Sequence, residues 1–175
     1  MKNIVCLLLL YVFGIEVLAQ AKASDTPAFP SVTEVQVEGL VEKPLSISVA
    51  SLKKRKVVEG KNYTIVSSKG EVKRTIGSYK GVLLKDLLNE AKITMANSKE
   101  RGKYYVLISA TDGYEVLFSW NELYNNKTGD SVYVLFEENS KEIVEDGPFV
   151  LICTADTITG PRHVRWVKSI KVAKL

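Results

Sequence analysis

From Thr33 to Val41, TEVQVEGLV alternates apolar with polar residues, the period of a strand with one buried face. Pro44 interrupts the pattern and Leu45-Ser46-Ile47 resumes it. Ser48 is placed to cap a short helix over VASLKKRK. Val57-Val58 and Tyr63 to Ser67 read as strands, with Glu71 to Ile76 returning as a hairpin partner. Val82 to Ala91 is the clearest helix, because Leu83, Leu84, Leu87 and Leu88 fall on one face at helical spacing. Tyr104 to Ala110 is a strong strand. Asp112-Gly113 predicts a two-residue hairpin turn, and Tyr114 to Phe118 the strand it returns. Trp120 to Tyr124 reads as a helical turn, and Ser131 to Phe136, Phe149 to Thr154 and Val164 to Val172 as further strands. Many strands and one or two helices predict a strand-rich α+β domain.

The N-terminus follows other rules. Lys2 precedes a short apolar run from Ile4 to Phe13, and Val17-Leu18-Ala19 suits cleavage by signal peptidase. The run is short for a bilayer span and Glu16 follows it closely. The expected organisation is a signal peptide over 1–19, a polar lead-in with two prolines over 20–31, and a single domain over 32–175. Cleavage removes one charge of each sign, so the mature chain keeps the net charge of +4. Lys53-Lys54-Arg55-Lys56 lacks the interleaved aromatics of a nucleic-acid surface. Hydrophobic residues make up 46% of the chain, enough for a packed core.

Cleavage also leaves Cys153 as the sole cysteine, which excludes an intramolecular disulfide, and its apolar surroundings point to a buried, inert thiol. With one cysteine and one histidine, His163, the chain cannot build a tetrahedral zinc site from His and Cys alone. It has no nucleophile elbow and no glycine-rich phosphate loop. Glu137-Glu138 and Glu145-Asp146 fall in a stretch, EENSKEIVEDG, that reads as a solvated acidic loop. Gly81, after Tyr79, reads as a tight lead into the leucine-faced helix.

Five pieces in a fixed order carry a resemblance: VQVEGLVEKPLSIS, SYKGVLLKDLLNEA, ATDGYEVLFSWNEL, EDGPFVLI and GPRHVRWVKSIKV. Together they resemble the oxidoreductase molybdopterin-binding domain, the fold of sulfite oxidases and related periplasmic reductases, from about Thr33 to Val172. The resemblance implies a strand-rich α+β fold and a site for a pterin that holds molybdenum. It also implies that a protein cysteine completes the metal's sulfur ligation, and that basic residues of the last segment hold the cofactor's phosphate. Arg162 and Arg165 match that segment. The cysteine position falls on Val66-Ser67-Ser68-Lys69, where there is no cysteine. A serine alkoxide from Ser67 or Ser68 would have to lose a proton far less readily given up than a thiol's, and with no base nearby. The leader has no arginine, so it resembles a general secretory signal, whose cargo crosses unfolded and without a cofactor.

These residues predict an exported, non-catalytic module in the periplasm or outside the cell, binding a small anion or an envelope protein partner, with no metal and no cofactor. The candidate ligand-binding residues are Ser67, Ser68, Lys69, Arg74, Arg162, His163 and Arg165, with Lys73 beside them. The alternative is a molybdopterin-dependent oxidoreductase with serine as the metal ligand, which requires Ser67 or Ser68 to face a deep cleft with Arg162 and Arg165 opposite.

Overall fold

The structure is a computed structural model that describes Pro30 and residues 32–175. The expected signal peptide and nearly all of the expected lead-in lie outside the described residues.

Among the described residues, ten strands form two sheets. β1 (Glu34–Gly39), β2 (Leu45–Ser48), β5 (Tyr104–Ala110), β6 (Glu115–Ser119) and β10 (Val167–Lys174) make the first, in the order β2-β1-β10-β5-β6. Its first and last strands in sequence, β1 and β10, are neighbours and parallel, and its other pairs are antiparallel. β3 (Val58–Val66), β4 (Val72–Leu83), β7 (Val132–Glu138), β8 (Lys141–Glu142) and β9 (Val150–Cys153) make the second. There β7 pairs with β4 along one edge, and with β9 and then β8 along the other. The described residues also form three short α-helices: α1 (Val49–Leu52), α2 (Leu84–Ala91) and α3 (Trp120–Tyr124). The fold is strand-rich α+β, as expected.

The main core lies on the facing sides of the sheets, closed by Leu84, Leu87, Leu88 and Ala91 of α2. β7 and β9 are buried on both faces. Val132, Val134, Leu151 and Cys153 enter the main core, whereas Leu135, Val150 and Ile152 join a second cluster with Tyr63, Ile65, Ile76 and Tyr79. This double burial is why FVLIC is a continuous apolar run rather than an alternating one.

Four local expectations need correction. Val82 and Leu83 belong to β4, because they pair with Val134 and Tyr133 of β7, so the helix begins only at Leu84. Gly81 therefore does not lead into the helix. It sits at a register shift in β4, where a Cβ would lie 2.6 Å from the Val134 carbonyl oxygen, a strand approach that only glycine allows. The turn after β5 has three residues, Thr111 to Gly113. Ala110 N donates to Tyr114 O at 2.9 Å, and Gly113 takes the left-handed position at φ 87°. The acidic stretch is in part a hairpin. Asn139 and Ser140, at φ 50° and 61°, turn β7 into β8 and pair Glu138 with Lys141.

Candidate functional site

The β3–β4 hairpin forms one wall of a cleft, and the loop before β9 and the segment between β9 and β10 form the rest. Two residues dock that segment. The Thr159 hydroxyl accepts from Val66 N at 2.8 Å and donates to Thr64 O at 2.7 Å. Gly160 then passes so close to β3 that a Cβ would lie 2.7 Å from Val66 O. A 3-10 turn over Gly160–Arg162 follows, closed by His163 N donating to Gly160 O at 3.1 Å. The opposite end of the cleft is set by Trp166, a bulky residue at φ 50°, whose N–H donates to Asp146 O at 2.7 Å. Gly147 makes room for it, since a Cβ there would lie 2.6 Å from the indole Cδ1.

The cleft encloses about 510 Å³, and Lys73, Arg74, Asp146, His163 and Arg165 line it. Arg74 Nη2 lies 2.7 Å from Asp146 Oδ2 and 3.1 Å from Glu138 Oε2. Arg165 Nη1 reaches Asp146 Oδ1 at 3.3 Å, and its guanidinium lies 4.3 Å from the centre of the Trp166 ring. Glu138 is 9% exposed. Burial pushes its carboxyl pKa up; Arg74 opposes that shift and Asp146 adds to it. Burial, with Arg74 and Arg165 adding to it, pushes His163 down to about 4, so the imidazole is neutral at physiological pH. Two buried atoms have no hydrogen-bond partner here: Glu138 Oε1 and His163 Nε2.

Of the six basic residues singled out in the sequence, four meet in this cleft: Lys73, Arg74, His163 and Arg165. Arg162 turns away from it. Its Nε donates to Asp156 Oδ2 at 2.7 Å and its Nη2 to Asp156 Oδ1, its Nη1 reaches Glu122 Oε1 at 3.1 Å, and its guanidinium lies 4.7 Å from the Phe118 ring centre. Arg162 therefore braces α3 against the 3-10 turn. Ser67, Ser68 and Lys69 form the β3–β4 turn, in which Ser67 Oγ accepts from Glu71 N at 3.2 Å and Gly70 adopts φ 81°. Ser68 and Lys69 are exposed, and none of the three lines this cleft. Sequence reasoning missed Glu138 and Asp146, having placed both in solvent.

The two-sheet α+β architecture defines the class: a sulfite-oxidase-type fold. A solved structure with this fold is the sulfane dehydrogenase SoxCD from Paracoccus pantotrophus. It is 20% identical with a TM-score of 0.57, over 79% of this chain and 37% of that one. The chain thus spans little more than a third of that neighbour's length. The family model for the oxidoreductase molybdopterin binding domain matches residues 23–175, and the chain belongs to that family. No curated protein matches it in sequence.

Membership implies a molybdopterin site, and the residues present fit only part of one. The cleft supplies cationic groups for a phosphate. Its donors are nitrogen and oxygen, with no sulfur. Cys153 is 0% exposed in β9, and burial pushes its thiol pKa up. The Ser67 hydroxyl is engaged within its own turn. The metal half of the cofactor therefore has no thiolate to meet among the described residues, and no chemical step is derived through it.

Proposed function

We propose that this domain is a non-catalytic binding module of the molybdopterin-binding family, and that its cleft takes a small phosphate-bearing anion. The observation that carries this reading is the convergence of Lys73, Arg74, His163 and Arg165 on one cleft from separate elements. Arg165 and Lys73 are the groups that would hold the anion. Arg165 is 47% exposed and makes one long contact to Asp146, and stacking on Trp166 leaves the in-plane N–H groups of its guanidinium available. Lys73 pairs with Glu71 at 2.6 Å, and both side chains are more than half exposed. Such exposed pairs contribute about 0–1 kcal/mol. A hydrogen bond from either cation to phosphate contributes about 1.5–3 kcal/mol, so exchange favours the ligand. Glu145 and Asp146 also line the cleft, which limits the net charge there to one positive unit. That balance favours a small anion over an extended polyanion.

Export supports the same reading. The arginine-free leader at 1–19 resembles a general secretory signal, and a chain that crosses unfolded arrives without a cofactor. The test has two parts, on protein purified from its own host. Metal analysis and pterin fluorescence after oxidation should find neither molybdenum nor pterin. Isothermal titration with inorganic phosphate should show binding that Arg165→Ala and Lys73→Ala each weaken. Near-stoichiometric molybdenum with pterin would overturn the reading and establish the oxidoreductase alternative. Phosphate binding unaffected by both substitutions would remove the cleft from it.

A further inference from the structure

We infer that Asp146 and His163 of this cleft, with Glu138 of the neighbouring cleft that shares Arg74 and Asp146, form a site for a first-row divalent cation, with Zn²⁺ the best-suited occupant. The cation site shares His163 and Arg74 with the cleft of the anion reading but not the anion's holding groups, Lys73 and Arg165, so Zn²⁺ binding in phosphate-free buffer tests it apart from that reading.

One ligand atom from each of the three residues lies within 4.8 Å of the other two. A tetrahedral cation with bonds of about 2.0–2.2 Å holds its ligands about 3.3–3.6 Å apart, so a shift of about 1 Å in each side chain closes the set. The donors are one neutral imidazole and two carboxylates, a set that suits zinc and its first-row neighbours better than magnesium or calcium.

A second observation is independent of that proximity. Glu138 is more than nine-tenths buried, yet its Oε1 has no partner, and neither has His163 Nε2. An unpaired buried polar atom is costly, and native proteins rarely leave two in one place. The Arg74 guanidinium meets Glu138 through Oε2 and leaves Oε1 and His163 Nε2 without a partner. A cation bound by Glu138 Oε1 and His163 Nε2 would satisfy both at once.

Arg74 is the competitor. Its Nη2 already lies between Glu138 Oε2 and Asp146 Oδ2, a positive charge on the two carboxylates the cation would share. Its side chain is 44% exposed, so it can swing toward solvent when a divalent ion arrives. Arg74 therefore sets the affinity: it holds the carboxylates together in the metal-free protein and opposes the incoming charge.

The experiment uses untagged full chain, stripped with a chelator and titrated with Zn²⁺ in phosphate-free buffer at neutral pH. His163 is the single histidine, so its ring nitrogens are assigned in a ¹⁵N-resolved NMR spectrum without any substitution. Stoichiometric Zn²⁺ should shift the Nε2 resonance. Glu138→Gln and His163→Gln keep the side-chain volume close to native and, as losses of a direct ligand, should each weaken Zn²⁺ by at least the about 10–100-fold that losing an outer-shell partner costs. Arg74→Gln should tighten it about tenfold, because a like charge about 4 Å away opposes the cation strongly in a half-buried site. The inference is overturned if Zn²⁺ leaves the His163 ring signals unmoved, or if either ligand substitution keeps wild-type affinity. Arg74→Gln binding no tighter than wild type would equally remove the shared-carboxylate geometry on which it rests.

Discussion

Replacing Arg162 by lysine separates a bracing arginine from a ligand-binding one. The guanidinium spends its fork on Asp156 through Nε and Nη2, adds Glu122 through Nη1 at 3.1 Å, and covers the Phe118 ring. The Arg162 side chain is 24% exposed and that of Asp156 13%, so the pair is neither a surface contact nor fully desolvated. Lysine keeps the charge but loses the bidentate geometry and the planar stack. It can retain one of three bonds, each contributing about 1.5–3 kcal/mol before the discount for partial exposure. The expected cost of Arg162→Lys is about 2 kcal/mol. Arg162→Ala should cost about 3 kcal/mol, because it leaves the Asp156 carboxylate shielded and alone.

The assay is thermal unfolding read beside phosphate titration. At about 2–4 °C per kcal/mol for a chain of this length, Arg162→Lys should melt about 4–8 °C lower. Phosphate affinity should not change, since Arg162 does not line the cleft. Asp156→Asn should reproduce the loss of stability, and the double variant should fall short of additivity by about 1–2 kcal/mol. A wild-type melting temperature for Arg162→Lys would refute the bracing role. So would phosphate binding lost at unchanged stability, which would return Arg162 to the part that the family resemblance implies for it.

Three further outcomes are expected. Gly81→Ala should cost about 2–3 kcal/mol, because its Cβ meets Val134 O at 2.6 Å in a bulged strand pair; an unchanged urea midpoint would show that β4 and β7 separate easily there. Cys153, buried in β9 with its thiol pKa raised by burial, should react with a thiol reagent only at the rate of unfolding; fast labelling in native buffer would contradict that burial. In metal-free protein, His163 is held at about 4 against an ordinary 6.5, so the unfolded chain binds the extra proton. Its contribution is complete above 6.5 and is lost as pH falls toward 4, by about 3 kcal/mol at about 1.4 kcal/mol per pH unit. Glu138, with its pKa raised, acts in the opposite direction over neighbouring pH values. The readout is therefore the difference between wild type and His163→Gln, and identical acid slopes for the two would refute it.

The fold was legible wherever one face of an element meets water. β1 shows it, with Val35 and Val37 buried and Glu34, Gln36 and Glu38 exposed. So does α2, whose buried residues repeat at helical spacing. Legibility failed where tertiary pairing overrode local preference. Val82 and Leu83 are good helix residues by pattern, but β7 claims them as strand partners. The β7–β8 hairpin was hidden because Asn139 and Ser140 make its turn without glycine, inside a run of charges that looked solvated.

That hairpin also decides how much of the site could be read. The basic residues were visible as types, but their meeting depends on pairings between distant strands. Tyr79 lies opposite Glu138 across β4 and β7, and Ile65 opposite Arg74 across β3 and β4. Together these registers place the Arg74 guanidinium on Glu138, from a position more than sixty residues away. No composition or spacing rule contains that register. Burial supplies the second missing term. An acidic side chain in a charged loop is ordinarily solvated, but Glu138 ends a strand that is buried on both faces and inherits its environment from Leu135 and Phe136 rather than from its charged neighbours. Counting only histidine and cysteine therefore excluded the wrong thing. The single His163 cannot make a metal site with Cys153, which faces the main core, but it stands among oxygen donors that the sequence had assigned to solvent.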